Sequence, residues 1–257
     1  MRRRFFVDRF DGRHAALRDD SAHHAARVLR VSPGQLYELT DGRALWLARV
    51  ESAARGSVEF SLVEQLPANP PALRTSLLLS IVKFDRFEWA LEKATELGVT
   101  EITPLASARS EKGLISAAPK RATRWERILL ESSQQSRRLA PPALNPASSP
   151  ADAFTAGVAP QRGAGFEPAE RGKSSAPALL FFSESPEAPP LRSILAGIPS
   201  TRHAVLAIGP EGGWTPAERS AALAAGFSEV SLGPQILRTE TAVAAAVAAV
   251  NYALSLE

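Results

Sequence analysis

The sequence predicts two domains, a small all-β domain followed by a larger α/β domain with a parallel sheet. Residues up to about 68 show the alternation of apolar and polar positions that is typical of half-buried strands. After them, short apolar runs alternate with amphipathic helix patterns, an order that favours a parallel sheet. Glycine-proline pairs end two of these runs, at Gly209-Pro210 and Gly233-Pro234, and indicate where loops leave the sheet.

The first domain, residues 1–70, contains a hairpin signal. The runs Leu36 to Thr40 and Ala44 to Val50 flank the turn residues Asp41-Gly42-Arg43, and residues 58–62 alternate in the same way. We therefore predict a small β-barrel or sandwich with one short helix.

Basic and aromatic residues occur together at the amino terminus. Arginines surround Phe5 and Phe6, and this mixture suits contact with RNA. A solvated edge strand whose phenylalanines enter the core would give the same pattern, so both interpretations stay open. The candidate RNA-binding residues in this stretch are Arg2, Arg3, Arg4 and Arg9.

The second domain, residues 71–257, begins after a proline-rich linker. Ser76 to Val82 is a continuous apolar run, typical of a buried parallel strand. Asp85 is predicted to cap the following helix, with Glu88 three residues further on, and Val99 to Leu105 is the next strand. Together these elements form a βαβ unit.

Positive charge is concentrated between Arg109 and Arg138, a segment that includes a helix pattern from Arg121 to Gln135. The segment has eight basic residues and three acidic ones, whereas the formal net charge of the whole chain is +3. A basic face of this kind suits a phosphate backbone, although a solvated helix face would look similar.

Residues 141–178 interrupt the pattern of helices and strands. They are rich in proline, glycine, alanine and serine, which predicts a flexible insertion. Gly172-Lys173-Ser174 lacks the upstream glycine and strand of a phosphate-binding loop, so nucleotide binding there is disfavoured.

The two glycine-proline loops define the predicted binding site. The run Ala204 to Ile208 leads to a helix with Thr215 as N-cap, Pro216 at its first position and Glu218 completing a capping box. Val230 to Leu232 precedes the second loop. Because the carboxyl ends of parallel strands meet at one edge of a sheet, both loops should face one pocket.

Several kinds of site are disfavoured. The chain has no cysteine and its four histidines lack metal-ligand spacing, so we expect no metal site. The loop at Gly209 does not match the dinucleotide fingerprint, because its spacing differs and Pro210 has no N–H. No apolar run is long enough for a membrane span or a signal peptide, so we expect no membrane partner and a cytoplasmic location.

Three stretches of the sequence together resemble the RsmE family, the ribosomal RNA small-subunit uridine-N3 methyltransferases of the SPOUT superfamily. They are Lys83 to Val99, Gly209 to Gly213 and Leu232 to Ala242. Residues 24–35 resemble the PUA-like barrel of the same family. Arg27 and Arg30 therefore join the candidate RNA-binding residues.

This resemblance implies a fold, a cofactor and partners. The α/β domain would contain a deep trefoil knot, an exception to the rule that chains do not thread. Two subunits would pair as a homodimer in which each active site borrows from its neighbour, and the substrate would be ribosomal RNA of the small subunit. The residues implied to hold S-adenosylmethionine are Ile208, Gly209, Pro210, Glu211, Gly212, Gly213, Leu232, Gly233, Pro234, Ile236, Leu237, Arg238 and Thr239.

Two carboxylates that are usual in the family are missing here. Ala108 and Gln134 stand where relatives often carry glutamate, which leaves the identity of the general base open. Arg138 and Arg109 are retained. They are our candidates for stabilising the anion that forms when uridine N3 loses its proton.

Glu240, at the start of the last helix, is the first candidate for the general base, and Glu211 is the second. Glu240 would equally well stabilise a helix N-terminus. A non-catalytic RNA-binding protein stays open as an alternative, because it would explain the missing carboxylates. A third possibility is an α/β enzyme for a small nucleotide, which would need neither the basic segment nor the first domain.

Overall fold

The computed structural model describes residues 3–54, 56–158, 176–198 and 201–254. The chain forms two compact units. Unit 1 combines Met1–Pro70 with Leu130–Pro141, and unit 2 combines Pro71–Leu129 with Pro142–Glu257. Leu130–Pro141 lies within the range 71–257 that the sequence predicts as the second domain, but it falls in unit 1.

Unit 1 is built on a five-stranded sheet. Its strands are Arg4–Phe6 (β1), His14–Arg18 (β2), Leu36–Thr40 (β3), Leu45–Ala54 (β4) and Ser57–Leu66 (β5). The spatial order is β1-β3-β4-β5-β2, with β1 parallel to β3 and the other neighbours antiparallel. The predicted hairpin is confirmed: Asp41 Oδ1 accepts hydrogen bonds from the N–H groups of Arg43 and Ala44, at 2.9 and 2.8 Å, in the turn between β3 and β4.

One short helical segment packs on this sheet, as the sequence predicts. Helix α1 (Asp19–His23) continues directly as a π-helix over His24–Val28. Phe5, Leu39 and Phe60 are buried in the core of the unit. The small all-β domain is therefore confirmed.

The segment Leu130–Pro141 belongs to unit 1 because buried polar contacts attach it there. Arg4 is 9% exposed, and its Nε and Nη2 donate to Glu38 Oε2 at 3.0 and 2.8 Å. Its Nη1 donates to the carbonyl of Arg137, whose own guanidinium pairs with Glu38. A buried charge is costly unless it is paired, so these contacts fix the segment against β1 and β3.

Unit 2 contains a six-stranded sheet. Its strands are Arg74–Ser80 (β6), Glu101–Leu105 (β7), Ala143–Leu144 (β8), Ala178–Phe182 (β9), His203–Ile208 (β10) and Ser228–Val230 (β11). Every neighbouring pair is parallel, in the order β11-β9-β10-β6-β7-β8. The predicted parallel α/β sheet is confirmed, whereas the trefoil knot stays a prediction.

Seven helices accompany this sheet in the described part of the chain. They are Phe84–Glu96 (α2), Lys112–Ala117 (α3), Ala122–Gln135 (α4), Pro150–Val158 (α5), Leu191–Leu195 (α6), Pro216–Ala224 (α7) and Thr239–Leu254 (α8), with a 3₁₀ turn at Ala118–Arg121. Helix α4 crosses the division between the units. Within the described ranges, no helix combines the length and apolar character that a membrane span requires.

One predicted helix cap is confirmed and another is wrong. Thr215 Oγ1 accepts from the N–H of Glu218, whose carboxylate accepts from the N–H of Thr215, as a capping box requires. By contrast, α2 begins at Phe84, one residue before the predicted cap, and no side chain caps it. Glu88 binds Arg124 instead, at 2.7 and 2.8 Å, because an arginine offers a carboxylate a bidentate partner.

The predicted flexible insertion is wrong over its first part. Residues 143–158 contain β8 and α5, and Phe154 of α5 is fully buried. Ser149 Oγ accepts from the N–H of Asp152 at 3.2 Å, so this helix begins with the same serine or threonine and proline signature that identifies α7. Residues 159–175 lie outside the described residues.

Candidate functional site

A cavity of about 510 Å³ opens at the carboxyl ends of β9, β10 and β11 in unit 2. The loops that follow these strands form its walls, as expected for a parallel sheet. All of the predicted cofactor-binding residues except two line it. The lining residues among them are Ile208, Gly209, Pro210, Gly212, Gly213, Leu232, Gly233, Pro234, Ile236, Leu237 and Thr239.

The two exceptions, Glu211 and Arg238, make other contacts. Glu211 forms a salt bridge with Arg86 near the start of α2. Arg238 is exposed, and its carbonyl accepts from the N–H of Ala242 at 2.8 Å in the first turn of α8. The structure therefore places neither residue in the cavity wall.

Trp214 packs against the first glycine of the loop that follows β10. A Cβ built on Gly209 would lie 2.9 Å from two atoms of the Trp214 ring, so only glycine fits there without a shift. The indole Nε1 donates to the carbonyl of Phe182 at 2.8 Å, and the ring lies 4.8 Å from that of Phe181, between centroids. Trp214 thus joins the ends of β9 and β10 and shapes the cavity.

Arg109 is the predicted catalytic residue that the structure brings to the cavity. It follows β7, lines the cavity and donates from Nη1 to the carbonyl of Gly212 at 2.7 Å. A guanidinium has five N–H groups, and this bond uses one of them. Arg109 can therefore contact the loop and a negatively charged group in the cavity at the same time.

Glu240 lies beside the cavity without lining it. It is the second residue of α8, it is half-buried, and its Oε2 is buried with no hydrogen-bond partner in the described part of the chain. The preceding residue, Thr239, donates from Oγ1 to the carbonyl of Gly209 at 3.1 Å, which connects α8 to the cavity loop. A buried carboxylate oxygen without a partner is costly, so a hydrogen-bond donor on a bound ligand would be stabilising there.

Arg138 belongs to unit 1, outside the unit that carries the cavity. Burial lowers the pKa of its guanidinium to about 10, and its Nε donates to the carbonyl of Ala140 at 3.2 Å. A pKa of about 10 still leaves the side chain positively charged at neutral pH.

The candidate RNA-binding arginines fall into three groups. Arg3, Arg9, Arg27 and Arg30 are exposed, as contact with a phosphate requires. Arg4 is a correction, because it is buried and its guanidinium is bound to Glu38 and to a carbonyl. Arg2 lies outside the described residues.

Sequence reasoning missed the loop that follows β9. Residues 182–185 line the cavity, and so do Trp214, Arg219 and Ser231. The sequence does not show that β9 lies between β10 and β11 in the sheet. That position brings its carboxyl end to the same edge of the sheet.

No group of three or more histidines, aspartates or glutamates within the described ranges is close enough together to hold a metal ion. The cavity wall consists instead of backbone groups, apolar side chains such as Leu232 and Leu237, and the charged Arg109, Arg219 and Glu184. This mixture suits an organic ligand with both apolar and polar parts.

Two parts of the chain match known family models. Residues 69–251 match the RNA methyltransferase domain, and residues 17–63 match the RNA methyltransferase PUA domain. The fold and the site therefore belong to an RNA methyltransferase with a PUA domain.

Individual relatives narrow this class. The Synechocystis protein named ribosomal RNA small subunit methyltransferase E is 34% identical over 236 residues, which cover 90% of this chain and 71% of the relative. The protein of the same name from Mycobacterium tuberculosis is 32% identical over 257 residues, which cover 98% of this chain and 92% of the relative. The crystal structure of the enzyme of that name from Neisseria gonorrhoeae, bound to S-adenosyl methionine, has a TM-score of 0.81 at 31% identity, with 98% of both chains covered. A putative methyltransferase from Legionella pneumophila, in complex with SAM, has the same TM-score at 25% identity and 98% coverage of both chains. The chain belongs to the ribosomal RNA small subunit methyltransferase E family.

Proposed function

We propose that this protein transfers the methyl group of S-adenosylmethionine to N3 of a uridine in the 16S ribosomal RNA of the small subunit. Membership of the family supports a methyltransferase that uses S-adenosylmethionine and acts on small-subunit ribosomal RNA. The observation that carries the proposal is the cavity itself, where the two glycine-proline loops meet Arg109. We also propose a cytoplasmic location, which a substrate in ribosomal RNA supports.

The cavity fits S-adenosylmethionine in size and in chemistry. Its volume of about 510 Å³ lies within the range of roughly 300–1,000 Å³ typical of small-molecule sites. Gly209 and Gly212 keep side chains out of the wall, so backbone groups can approach a flat ring. When bound, S-adenosylmethionine supplies an electrophilic methyl group.

Methylation at uridine N3 needs help from the protein because the nitrogen carries a proton and is a poor nucleophile until that proton leaves. Negative charge then spreads onto O2 and O4, where a cation would stabilise it. We assign this role to Arg109 and Arg138. Arg109 is supported by its place in the cavity wall, and Arg138 by the family resemblance.

Glu240 is the proposed proton acceptor. Its support is a half-buried carboxylate with one oxygen that has no hydrogen-bond partner in the described structure, next to the residue that binds the Gly209 carbonyl. Glu211 is the second choice because its carboxylate is already engaged by Arg86. Stabilisation of the α8 N-terminus is the competing role for Glu240.

The alternative function is a non-catalytic RNA-binding protein that keeps the fold. Ala108 and Gln134, in place of two customary glutamates, are the observation that favours it. Such a protein would bind RNA without transferring a methyl group.

Mass spectrometry of ribosomal RNA nucleosides separates these two functions. A strain that lacks the gene should lose N3-methyluridine from its small-subunit RNA. The intact gene should restore it, and a gene encoding Arg109→Ala at equal protein level should not. Persistence of the modified nucleoside in the deletion strain would refute the proposed activity.

The exposed arginines of unit 1 should anchor RNA without entering the reaction. Replacing both Arg27 and Arg30 with alanine should weaken RNA binding and reduce its salt dependence. The slope of the logarithm of the binding constant against the logarithm of the salt concentration should become shallower by roughly 0.7 for each phosphate that is no longer neutralised. The transfer rate at saturating RNA should not change. Filter binding at several salt concentrations measures this, with the exposed Arg202→Ala of unit 2 as control. An unaltered slope would refute the role of these arginines in RNA binding.

Helix α8 is the proposed dimer contact. Its alanine and valine residues continue around the helix, and Tyr252 near its end is 93% exposed in the single chain. Light scattering should give twice the monomer mass of 27.5 kDa. Tyr252→Arg should raise the dimer dissociation constant by at least about 30-fold, the effect of removing one central aromatic side chain from an interface.

Val63→Arg is the matched control for this test, because Val63 is also exposed, at 42%, but lies in unit 1. It should leave the mass unchanged. A monomer at micromolar concentration in the unaltered protein would refute the dimer.

A further inference from the structure

The carboxylate of Glu218 joins the helix that follows the cavity loop to a second loop that is distant in sequence. One oxygen, Oε2, accepts from the N–H and the hydroxyl of Thr215, both at 2.8 Å, as part of the capping box of α7. The other oxygen, Oε1, accepts from the N–H of Ala108 at 2.8 Å. The capping box does not require this last bond.

Ala108 precedes Arg109 in the loop between β7 and α3. The residue on its other side, Ser107, is 1% exposed, and its hydroxyl forms a 2.6 Å hydrogen bond with that of Ser80 at the end of β6. Arg109 itself donates to the Gly212 carbonyl. Ser80 thus holds the Ser107 side chain of this loop, and Glu218 holds the loop backbone at Ala108.

These anchors determine where the Arg109 guanidinium can lie. Arginine has several rotatable bonds, and its position becomes defined only when its backbone and one of its N–H groups are both fixed. The bond from Ala108 fixes the backbone one residue before Arg109, and the bond to Gly212 fixes the guanidinium. Without the hydrogen bond from the Ala108 N–H, the loop that carries Arg109 can shift, and the Arg109 guanidinium shifts with it.

We propose that Glu218 is a positioning residue, whose carboxylate holds the Ala108 N–H and thereby sets Arg109 against the cofactor cavity for methyl transfer. This inference rests on the proposed function, because it assigns Glu218 a part in the same reaction. Glu218 acts through Arg109 and does not touch the substrate.

Glutamine at position 218 separates this role from helix capping. A capping box accepts glutamine as well as glutamate, so one amide oxygen can still accept from Thr215. The amide nitrogen then faces the N–H of Ala108, and two donors cannot bond. Glu218→Gln should therefore preserve the cap of α7 and lose the hydrogen bond to the Ala108 loop. Glu218→Ala should remove the hydrogen bonds to Thr215 as well as the one to Ala108.

Three measurements test the inference. In Glu218→Gln, hydrogen exchange of the Ala108 amide should accelerate by at least about tenfold, since the variant cannot form this hydrogen bond to a charged group. The melting temperature should stay within about 3 °C of the unaltered protein. The single-turnover rate of methyl transfer to small ribosomal subunits, with cofactor and subunits saturating, should fall by about 10- to 100-fold, the effect of a misplaced catalytic group.

The decisive comparison uses an Arg109→Ala background. If Glu218 acts through Arg109, Glu218→Gln should lower the rate in the intact protein and have no further effect once Arg109 is absent. Glu126→Gln, the same change on an exposed face of α4, is the matched control and should alter neither exchange nor rate.

An equal rate loss in both backgrounds, or an unchanged exchange rate at Ala108, would overturn the positioning role. Absence of methyl transfer by the unaltered protein would instead refute the proposed function, and the inference with it. The two failures are therefore distinguishable.

Discussion

Replacing Arg109 with alanine should lower the single-turnover rate of methyl transfer by about 100- to 1,000-fold, the effect of removing one donor that stabilises a developing anion. The guanidinium lines the cavity in the described structure and is held there by the Gly212 carbonyl. Because the uridine is neutral when it binds and becomes negatively charged only during the reaction, the affinity for S-adenosylmethionine and for RNA should change by no more than a few fold.

Arg109→Lys is the informative companion to this variant. Lysine keeps the charge but has no planar set of donors like the one that lets arginine bind the Gly212 carbonyl and a second group at once. It should restore only part of the rate. Arg138→Ala, measured in the same assay, tests the second candidate cation. A normal rate in Arg109→Ala together with a slow rate in Arg138→Ala would move the role to Arg138.

Replacing Gly209 with alanine should reduce the affinity for S-adenosylmethionine by at least about 100-fold. The new Cβ would lie 2.9 Å from the Trp214 ring, so Trp214 must shift, and its hydrogen bond to the Phe182 carbonyl would be strained or broken. That shift displaces the walls formed by two loops at once. Titration calorimetry measures the affinity, and thermal unfolding should show a stability loss of about 1–3 kcal/mol.

Gly113→Ala is the matched control, since Gly113 lies in α3 and a Cβ there would meet no atom within 4 Å. It should leave the affinity unchanged. Gly212→Val provides a second probe of the cavity, because a Cβ at that position would lie 3.3 Å from Arg109 Cβ. Normal affinity in both the Gly209 and the Gly212 variants would show that the cofactor binds elsewhere.

The parts of this fold that could be predicted from the sequence depend on local chemistry. The cap at Thr215, the hairpin turn at Asp41 and the run Ala204 to Ile208 each have their structure determined by residues close in sequence. The cavity that the two glycine-proline loops share follows from the rule that loops at one edge of a parallel sheet face one pocket.

The parts that could not be predicted depend on partners distant in sequence. The helix cap expected at Asp85 lies two residues earlier, at Lys83, and Glu88 is bound by Arg124 of another helix. Arg4 lies in a stretch whose basic and aromatic composition suits RNA binding, but it is buried beside Glu38. The assignment of Leu130–Pro141 to unit 1 rests on the same buried contact and has no signal in the local sequence.

Helix α5 is a different case, because its start has a signal in the local sequence. Ser149 and Pro150 have the same roles at the start of α5 as Thr215 and Pro216 have at the start of α7. The proline and alanine content of the surrounding residues nevertheless favours a flexible insertion over a helix. Phe154, fully buried, supplies the tertiary packing that composition cannot show.

Transfer of a labelled methyl group in vitro tests the central claim most directly. The purified protein is incubated with S-adenosylmethionine carrying a trideuterated methyl group and with small ribosomal subunits from a strain that lacks the gene. The RNA is then digested, and its nucleosides are separated and weighed by mass spectrometry. We predict that the label appears in N3-methyluridine and that Arg109→Ala reduces it to a small fraction. Label in any other nucleoside, or no label with the unaltered protein, would contradict the account.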